Sequence, residues 1–391
     1  MRCTGGLVRI LAAASAGLTL VACSAAGHQA SGAHPASDGH PAAATRTVAA
    51  THPAAVEAVA AVRGGHPRYG NPRGVAVPPA ARAVSTAHPS RVIGTGTPAS
   101  CTSAAVIKAV ARGGVITFSC GPSPVTITMT ATAKVVNTHR RTVLDGGGKV
   151  TLSGGGKVRI LYMNTCDPKQ IWTTSSCWEQ KWPQLVVQNL TFADAYSAIR
   201  QTKTSSYGGG AIFAQGGQLK VVNSGFINNR CYRSGPDLGG AAVRALGMWP
   251  GSPVYITSDT FRGGRCSNGG ALSSIAARWD VFNSFFVNNK AIGWGQNPQQ
   301  SGTAGGGSGG AIYTDGNSYS VLIDGTIMRD NTAREGGGAI FFVVDAGGGT
   351  LKIAYSRLHH NPSGQFENAP GIFDHVDGAN VPPTNVHSTI N

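Results

Sequence analysis

Val321–Asn331 reads VLIDGTIMRDN, and it is one of six copies of a pattern that fills the chain from residue 185 onward. The copies begin at Leu185, Leu219, Val254, Trp279, Val321 and Leu351, and a seventh, partial copy ends at Ile390. Position one is apolar or aromatic throughout, and so is position three (Val187, Val221, Ile256, Val281, Ile323, Ile353). Apolar residues at every second place describe a strand with one buried face. Position five is often Asn (Asn189, Asn223, Asn283), and position eight is a large apolar residue (Phe192, Phe226, Phe261, Phe286, Met328, Leu358). Position eleven is often Asn (Asn229, Asn289, Asn331, Asn361).

The starts are 34, 35, 25, 42 and 30 residues apart, a repeat with insertions rather than a string of domains. Each unit consists of short strands broken by Gly and Asn and holds no helix, so it cannot bury its apolar positions alone. Stacked as coils of a parallel solenoid, the copies place equivalent positions in columns about 4.8 Å apart. Phe then lies on Phe in one core, and Asn columns at the bends satisfy backbone groups that turns leave unpaired.

Ahead of five copies stands Gly-Gly-Ala, at Gly209, Gly239, Gly269, Gly309 and Gly337. GGAI followed by F-x-x-N, as in GGAIFAQGGQLKVVNSGFINN from Gly209, resembles the repeats of chlamydial polymorphic outer membrane proteins. More broadly it resembles the pectin-lyase-like superfamily. That resemblance covers roughly residues 185 to 391 and implies an all-β, single-stranded right-handed parallel β-helix. The outer membrane proteins resemble autotransporters with a C-terminal membrane barrel, a part with no counterpart in these residues.

Met1 to Ala22 carries Arg2 and Arg9 and then an apolar run, the layout of a secretory signal too short to span a membrane. It ends Leu20-Val21-Ala22-Cys23. This resembles the lipobox of bacterial lipoproteins and implies that Cys23 is lipidated, an anchor to the outer face of the cytoplasmic membrane in place of a spanning helix. Residues 23–98 are rich in Ala, Pro, Gly and His with few large apolar residues, so they are expected to be a disordered tether. Its histidines lack ligand spacing. The folded domain is expected over 99–391, opening with a helix at Ser103 to Arg112 that begins after Thr102 or Ser103 and stops at Gly113-Gly114. Such a helix resembles the N-terminal cap of a β-helix, covering the open edge of the first coil. VTITMT at Val125, TVLDGGG at Thr142 and VTLSGGG at Val150 then read as early coils.

The formal charge of +15 is unevenly placed. Residues 101–265 carry 18 Lys and Arg against 6 acids, and 266–391 carry 6 against 9. A basic exported surface suggests an anionic polysaccharide or cell-wall polymer as partner. The compartment and the lack of a recognised motif argue against nucleic acid. Beyond Cys3 and Cys23, six cysteines remain in the folded part, and an even number in an oxidising compartment suggests disulfides. Cys231 and Cys266 are both position thirteen, so stacking brings them within disulfide reach. Cys101 with Cys120 would tie the cap to the first strand, and Cys166 with Cys177 would close a loop. None has zinc-site spacing.

The pectin-lyase-like resemblance implies clustered acids on the outer face of one sheet if the protein is an enzyme, a polysaccharide lyase or glycoside hydrolase. Asp280, position two of its copy, and Asp324, position four of the next, share the outward parity. Their offset of about 8 Å falls in the roughly 6.5–9.5 Å range of an inverting pair, although an outward acid on a solvated strand is ordinary. Asp315 and Asp345 sit in corresponding turns one coil apart and are candidate calcium ligands; no other cofactor is implied. Trp172, Trp178 and Trp182 fall in or beside the cysteine-bounded insert, and Trp249 and Trp294 in other insertions. Tryptophan in loops either covers the coils or stacks on sugar rings. With no acid cluster converging on a base, a non-catalytic carbohydrate-binding or adhesive surface is the expected function.

Overall fold

Alternation and recurrence become ladders of parallel strands. The computed structural model describes residues 69–202, 207–297 and 299–391, all within the unit 55–391 of the chain. Leu185 pairs with Leu219, Val254 with Trp279, Trp279 with Val321 and Val321 with Leu351. The expected register is therefore the observed one, with positions one, three and eight in a single core. Position eight forms a continuous stack, with ring centroids 5.0 Å apart for Phe192 and Phe226, 4.8 Å for Phe226 and Phe261, and 4.7 Å for Phe261 and Phe286. Met328, Leu358 and Ile390 continue the column.

The five coils that begin at Leu185, Leu219, Val254, Trp279 and Val321 each contribute to three sheets, and among the described residues the ladders between coils are parallel. The first sheet carries positions one to nine and bends at position five, where Asn189, Asn223 and Asn283 have φ of 53°, 46° and 49°. Asn tolerates this left-handed region better than other non-glycine residues. A second bend at position ten uses Asn228 and Asn288 in the same way, with φ of 53° and 56°. A short third sheet follows, at Arg230–Cys231, Arg265–Cys266 and Lys290–Ala291. The chain then enters the second sheet at Ile212–Gln215, Val243–Leu246, Leu272–Ile275 and Ile312–Asp315.

Position eleven holds the second bend together. Asn289 Nδ2 donates to Asn331 Oδ1 at 2.9 Å, and Asn331 Nδ2 donates to Asn361 Oδ1 at 2.8 Å. The same amides also reach back to the carbonyls of Phe261 and Phe286. Position six makes a second column, in which the N–H groups of Ser284, Thr326 and Ser356 donate to the hydroxyls of Thr326, Ser356 and Ser388. These ladders satisfy buried polar groups that a bend removes from the sheets.

The cap helix α1 (Ser103–Ala111) starts where Thr102 Oγ1 accepts from Ala105 N at 3.2 Å. It buries Val106 and Val110 and packs beside the strands Arg91–Ile93 and Ala133–Lys134. All three disulfides form as expected, with Cα separations of 5.7 Å for Cys101–Cys120, 5.0 Å for Cys166–Cys177 and 4.8 Å for Cys231–Cys266.

Three expectations are corrected. TVLD and VTLS are not separate coils but the two halves of one strand, Arg141–Ser153, whose register shifts between Asp145 and Val150 where the extra glycines bulge out. In the second copy the glycine equivalent to Gly209 is Gly240 rather than Gly239, because Val243 pairs with Ile212. Most consequentially, order begins well before residue 99. Residues 69–98 lie against the coils, and Arg91–Ile93 is itself a strand paired with Ile116–Phe118. Cys23, the signal and residues 23–68 lie outside the described residues.

Candidate functional site

The outward face of the first sheet, where Asp280 and Asp324 were expected to stand open, is crossed by residues 69–90. This strap first follows the position-five bend. Tyr69 N donates to Asn223 Oδ1 at 3.4 Å, Gly70 N to Thr260 Oγ1 at 2.8 Å, and Asn71 Nδ2 to Gly325 O at 2.8 Å. After a turn at Asn71–Gly74, where Arg73 N donates to Asn71 Oδ1, it returns across the sheet. Asn283 clamps Val75 from both sides of its peptide, accepting from Val75 N at 2.7 Å and donating to Val75 O at 2.8 Å. Gln188 grips Val84 in the same way, at 3.0 Å for each bond. Between them Lys220 Nζ donates to the carbonyls of Ala80 and Arg82 at 3.0 and 2.8 Å. Thr86 Oγ1 then donates to Asp145. Burial works upward on the Asp145 carboxyl, but hydrogen bonds from Asn189, Gln188, Gly147 and Thr86 outweigh it and hold the group below its ordinary range.

Asp280 and Asp324 have the offset read from the repeat, since Asp280 pairs with Leu322 and Phe282 with Asp324. The solvated surroundings expected for them are not found at Asp280, whereas Asp324 stays partly exposed. Asp280 is 8% exposed and ion-paired with Arg278 at 3.3 Å, and one oxygen of Asp324 is buried without a hydrogen-bond partner. Burial raises both carboxyls above their ordinary range, opposed at Asp280 by Arg278 and at Asp324 by Lys352.

On the outer side of the second sheet, Asp315 accepts from Tyr313 Oη at 2.9 Å and lies near Asp345, as the turn positions suggested. Among the described residues no three His, Cys, Asp or Glu side chains gather closely enough to hold a metal ion. Nearby Arg244 is fully buried. One of its nitrogens donates to Ser273 Oγ, its guanidinium lies 5.5 Å from the Tyr207 ring, and among the described residues Nε and Nη2 make no hydrogen bond. Burial and then the Asp345 charge push Asp315 up to about 6, and burial pushes Asp374 up to about 7. A raised carboxyl favours the folded state most below the unfolded range near 4 and loses that contribution as pH climbs through the folded value. Thermal stability is therefore expected to rise from pH 8 to pH 5. In scanning calorimetry, Asp315→Asn together with Asp374→Asn is expected to flatten that rise; an unchanged slope would refute the assignment.

The tryptophans of the first insertion are held out rather than folded under. Trp172 is 48% and Trp178 52% exposed, against 1% for Trp279 in the core. The Cys166–Cys177 loop, which carries Trp172 and ends just before Trp178, is bound to the coils. Asn137 Nδ2 donates to Trp172 O at 2.9 Å, Thr165 Oγ1 donates to Cys177 O, and Gly217 N donates to Gln180 O at 3.1 Å. Trp182 is half-buried between Arg140 and Lys181, 5.6 and 5.4 Å from its ring, and Lys181 also lies 5.0 Å from Trp249. Trp294, 38% exposed, stands apart in the 293–306 loop with Arg334 5.0 Å from its ring.

One feature of the repeat passes unnoticed in the sequence although its signal is there. Position twelve is Arg230, Arg265 and Lys290 in three successive copies, and pairing in the third sheet puts them side by side.

Comparison with protein-family models, characterised proteins and solved structures finds no match to this chain. Fold and disulfides define its class: a parallel β-helix solenoid whose three disulfides suit an oxidising compartment. Among the described residues no helix is long and apolar enough to cross a membrane.

Proposed function

We propose that this protein is an exported β-helix that holds carbohydrate or a cell-wall polymer at the cell surface without turning it over, anchored through a lipid on Cys23. The observation that carries the reading is the pair Trp172 and Trp178, each about half exposed on a loop bound to the coils by a disulfide and backbone hydrogen bonds. An indole left in water on a rigid loop gives up burial that folding would otherwise use, and it presents a flat face to a sugar ring. Lys181 and Arg140 beside Trp182 and Trp249 add donors for hydroxyl or carboxylate groups along the same edge.

The test is a panel of pectate, alginate, hyaluronan and wall glycans, with and without calcium, assayed for binding and for new reducing ends or unsaturated products. Binding without turnover, weakened in Trp172→Ala and Trp178→Ala, is the expected result. The second reading is a pectin-lyase-like lyase or hydrolase. It is favoured by the offset of Asp280 and Asp324 and opposed by the strap and by Arg278. Turnover abolished by Asp280→Asn or Asp324→Asn, with the fold intact, would replace the first reading with this one. For the anchor, wild type is expected to partition with membranes and Cys23→Ala to appear in the medium or remain unprocessed; equal partitioning of the two would refute lipidation.

A further inference from the structure

The coils hold the strap at residues 69–90 as they would hold a ligand, through its peptide groups. Asn223 Oδ1, Thr260 Oγ1 and Asn283 O accept from the N–H groups of Tyr69, Gly70 and Asn71. Asn283 and Gln188 each bind both the N–H and the carbonyl of one residue, Val75 and Val84, and Lys220 donates to the carbonyls of Ala80 and Arg82. One side chain is read as well. Tyr69 fills a hole at position seven, where the column runs Thr191, Gly225, Thr260, Phe285, Ile327, Arg357 from coil to coil. A Cβ on Gly225 would stand 2.5 Å from the Tyr69 ring, and Tyr69 Oη is hydrogen-bonded to Thr191 Oγ1. A glycine inside a strand weakens it and marks close approach by a ligand or another backbone. Gly325 makes room in the same way, since a Cβ there would stand 2.9 Å from Val75 N.

The strap is also separable from the coils. It adds no strand to any sheet, none of its residues belongs to the hydrophobic core, and Ala81 is its one buried residue. It joins the coils through residues 87–89, all exposed, ahead of Ser90, whose hydroxyl accepts from Val115 N. Undocking it therefore leaves the ladders intact. We propose that the outer face of the first sheet is a binding site for an extended peptide, and that its second occupant is the strap of another copy of this chain, exchanged between neighbours. The class of ligand is set by the occupant the seat already has. Exchange conserves the Tyr69 hole and every peptide contact, so only the hinge changes. In dilute solution each seat keeps its own strap, which a short hinge holds at an effective concentration on the order of millimolar; crowding of copies favours exchange. The contact uses neither the tryptophans nor any carbohydrate.

The test pairs two full-length chains with complementary defects. Tyr69→Ala/Val75→Pro spoils the strap, by emptying the hole and removing the N–H that Asn283 accepts, and leaves the seat unchanged. Gly225→Thr fills the hole with the residue carried by both neighbours in its column and leaves the strap unchanged. In sedimentation velocity each chain is expected to be monomeric alone and the mixture to form a one-to-one dimer; a folded mixture without dimer would overturn exchange. A labelled synthetic peptide of residues 69–90 is expected to bind Tyr69→Ala/Val75→Pro about tenfold tighter than wild type, whose own strap competes. Adding Gly225→Thr to that chain, or N-methylating the peptide at Val75 and Val84 to remove two N–H donors, is expected to weaken binding about tenfold. Peptide binding unaffected by either change would mean unspecific adhesion and would overturn the site. Amide exchange of the unmodified protein gives an answer that does not depend on how the variants fold. Val75 and Val84 are expected to exchange through an opening that leaves Val221 and Val281 protected; exchange of all four at one rate would mean that the strap opens only with the coils, and would overturn the proposal.

Discussion

Asn331→Ala is expected to destabilise the fold by about 3–5 kcal/mol, measured as a lowered denaturant midpoint and as faster amide exchange at Asn289 and its neighbours. The side chain is fully buried and serves three coils at once. Its oxygen accepts from both Asn289 N and Asn289 Nδ2, at 3.0 and 2.9 Å, and its nitrogen donates to Phe286 O and Asn361 Oδ1. Alanine removes these four hydrogen bonds where water does not reach. Asn361 Oδ1 keeps the backbone N–H of residue 331 and Asn289 Nδ2 keeps Phe261 O, so the loss falls most on Asn289 N and Phe286 O, at about 1–3 kcal/mol for each buried group left unsatisfied. Leucine at the same place restores volume and not the hydrogen bonds, so Asn331→Leu is expected to be no better. A loss below about 1 kcal/mol would mean that the bend is held by backbone pairing alone.

Phe261→Ala is expected to cost a similar amount, about 3–5 kcal/mol, and to lower the melting temperature without changing the exposed surface. Phe261 is fully buried between Phe226 and Phe286, at 4.8 and 4.7 Å. Removing it opens a gap in a column whose neighbours are fixed by strand pairing above and below, so the walls cannot close on it. Phe261→Leu is expected to lose less than half as much, because Met328 and Leu358 already occupy this column in other coils. Equal losses for alanine and leucine would point to ring stacking, rather than volume, as the source.

Chain order by itself was enough for the ladder. A period of two along each strand assigns every side chain to one face, so once the copies are aligned on Val321–Asn331 the inward columns, the Phe stack and the Cys231–Cys266 contact follow without further information. The same alignment contained the column of cations in the third sheet. Arg230, Arg265 and Lys290 share position twelve, but they stand 35 and 25 residues apart, and uneven insertions hide a column of polar residues that no apolar neighbour marks.

Tertiary structure alone decided which outward faces are open. Residues 69–90 have little apolar pattern, and composition placed them with the tether. They are ordered because Asn283, Gln188 and Lys220 bind their peptide groups, and a segment held through its backbone leaves almost no trace in its own side chains. The strap lies over the face where Asp280 and Asp324 were expected to meet solvent. The outward side of an alternating strand is fixed by the residues of that strand; whether water or another part of the chain lies against it depends on contacts distant in sequence, here Val75 on Asn283 and Val84 on Gln188, which local periodicity does not encode.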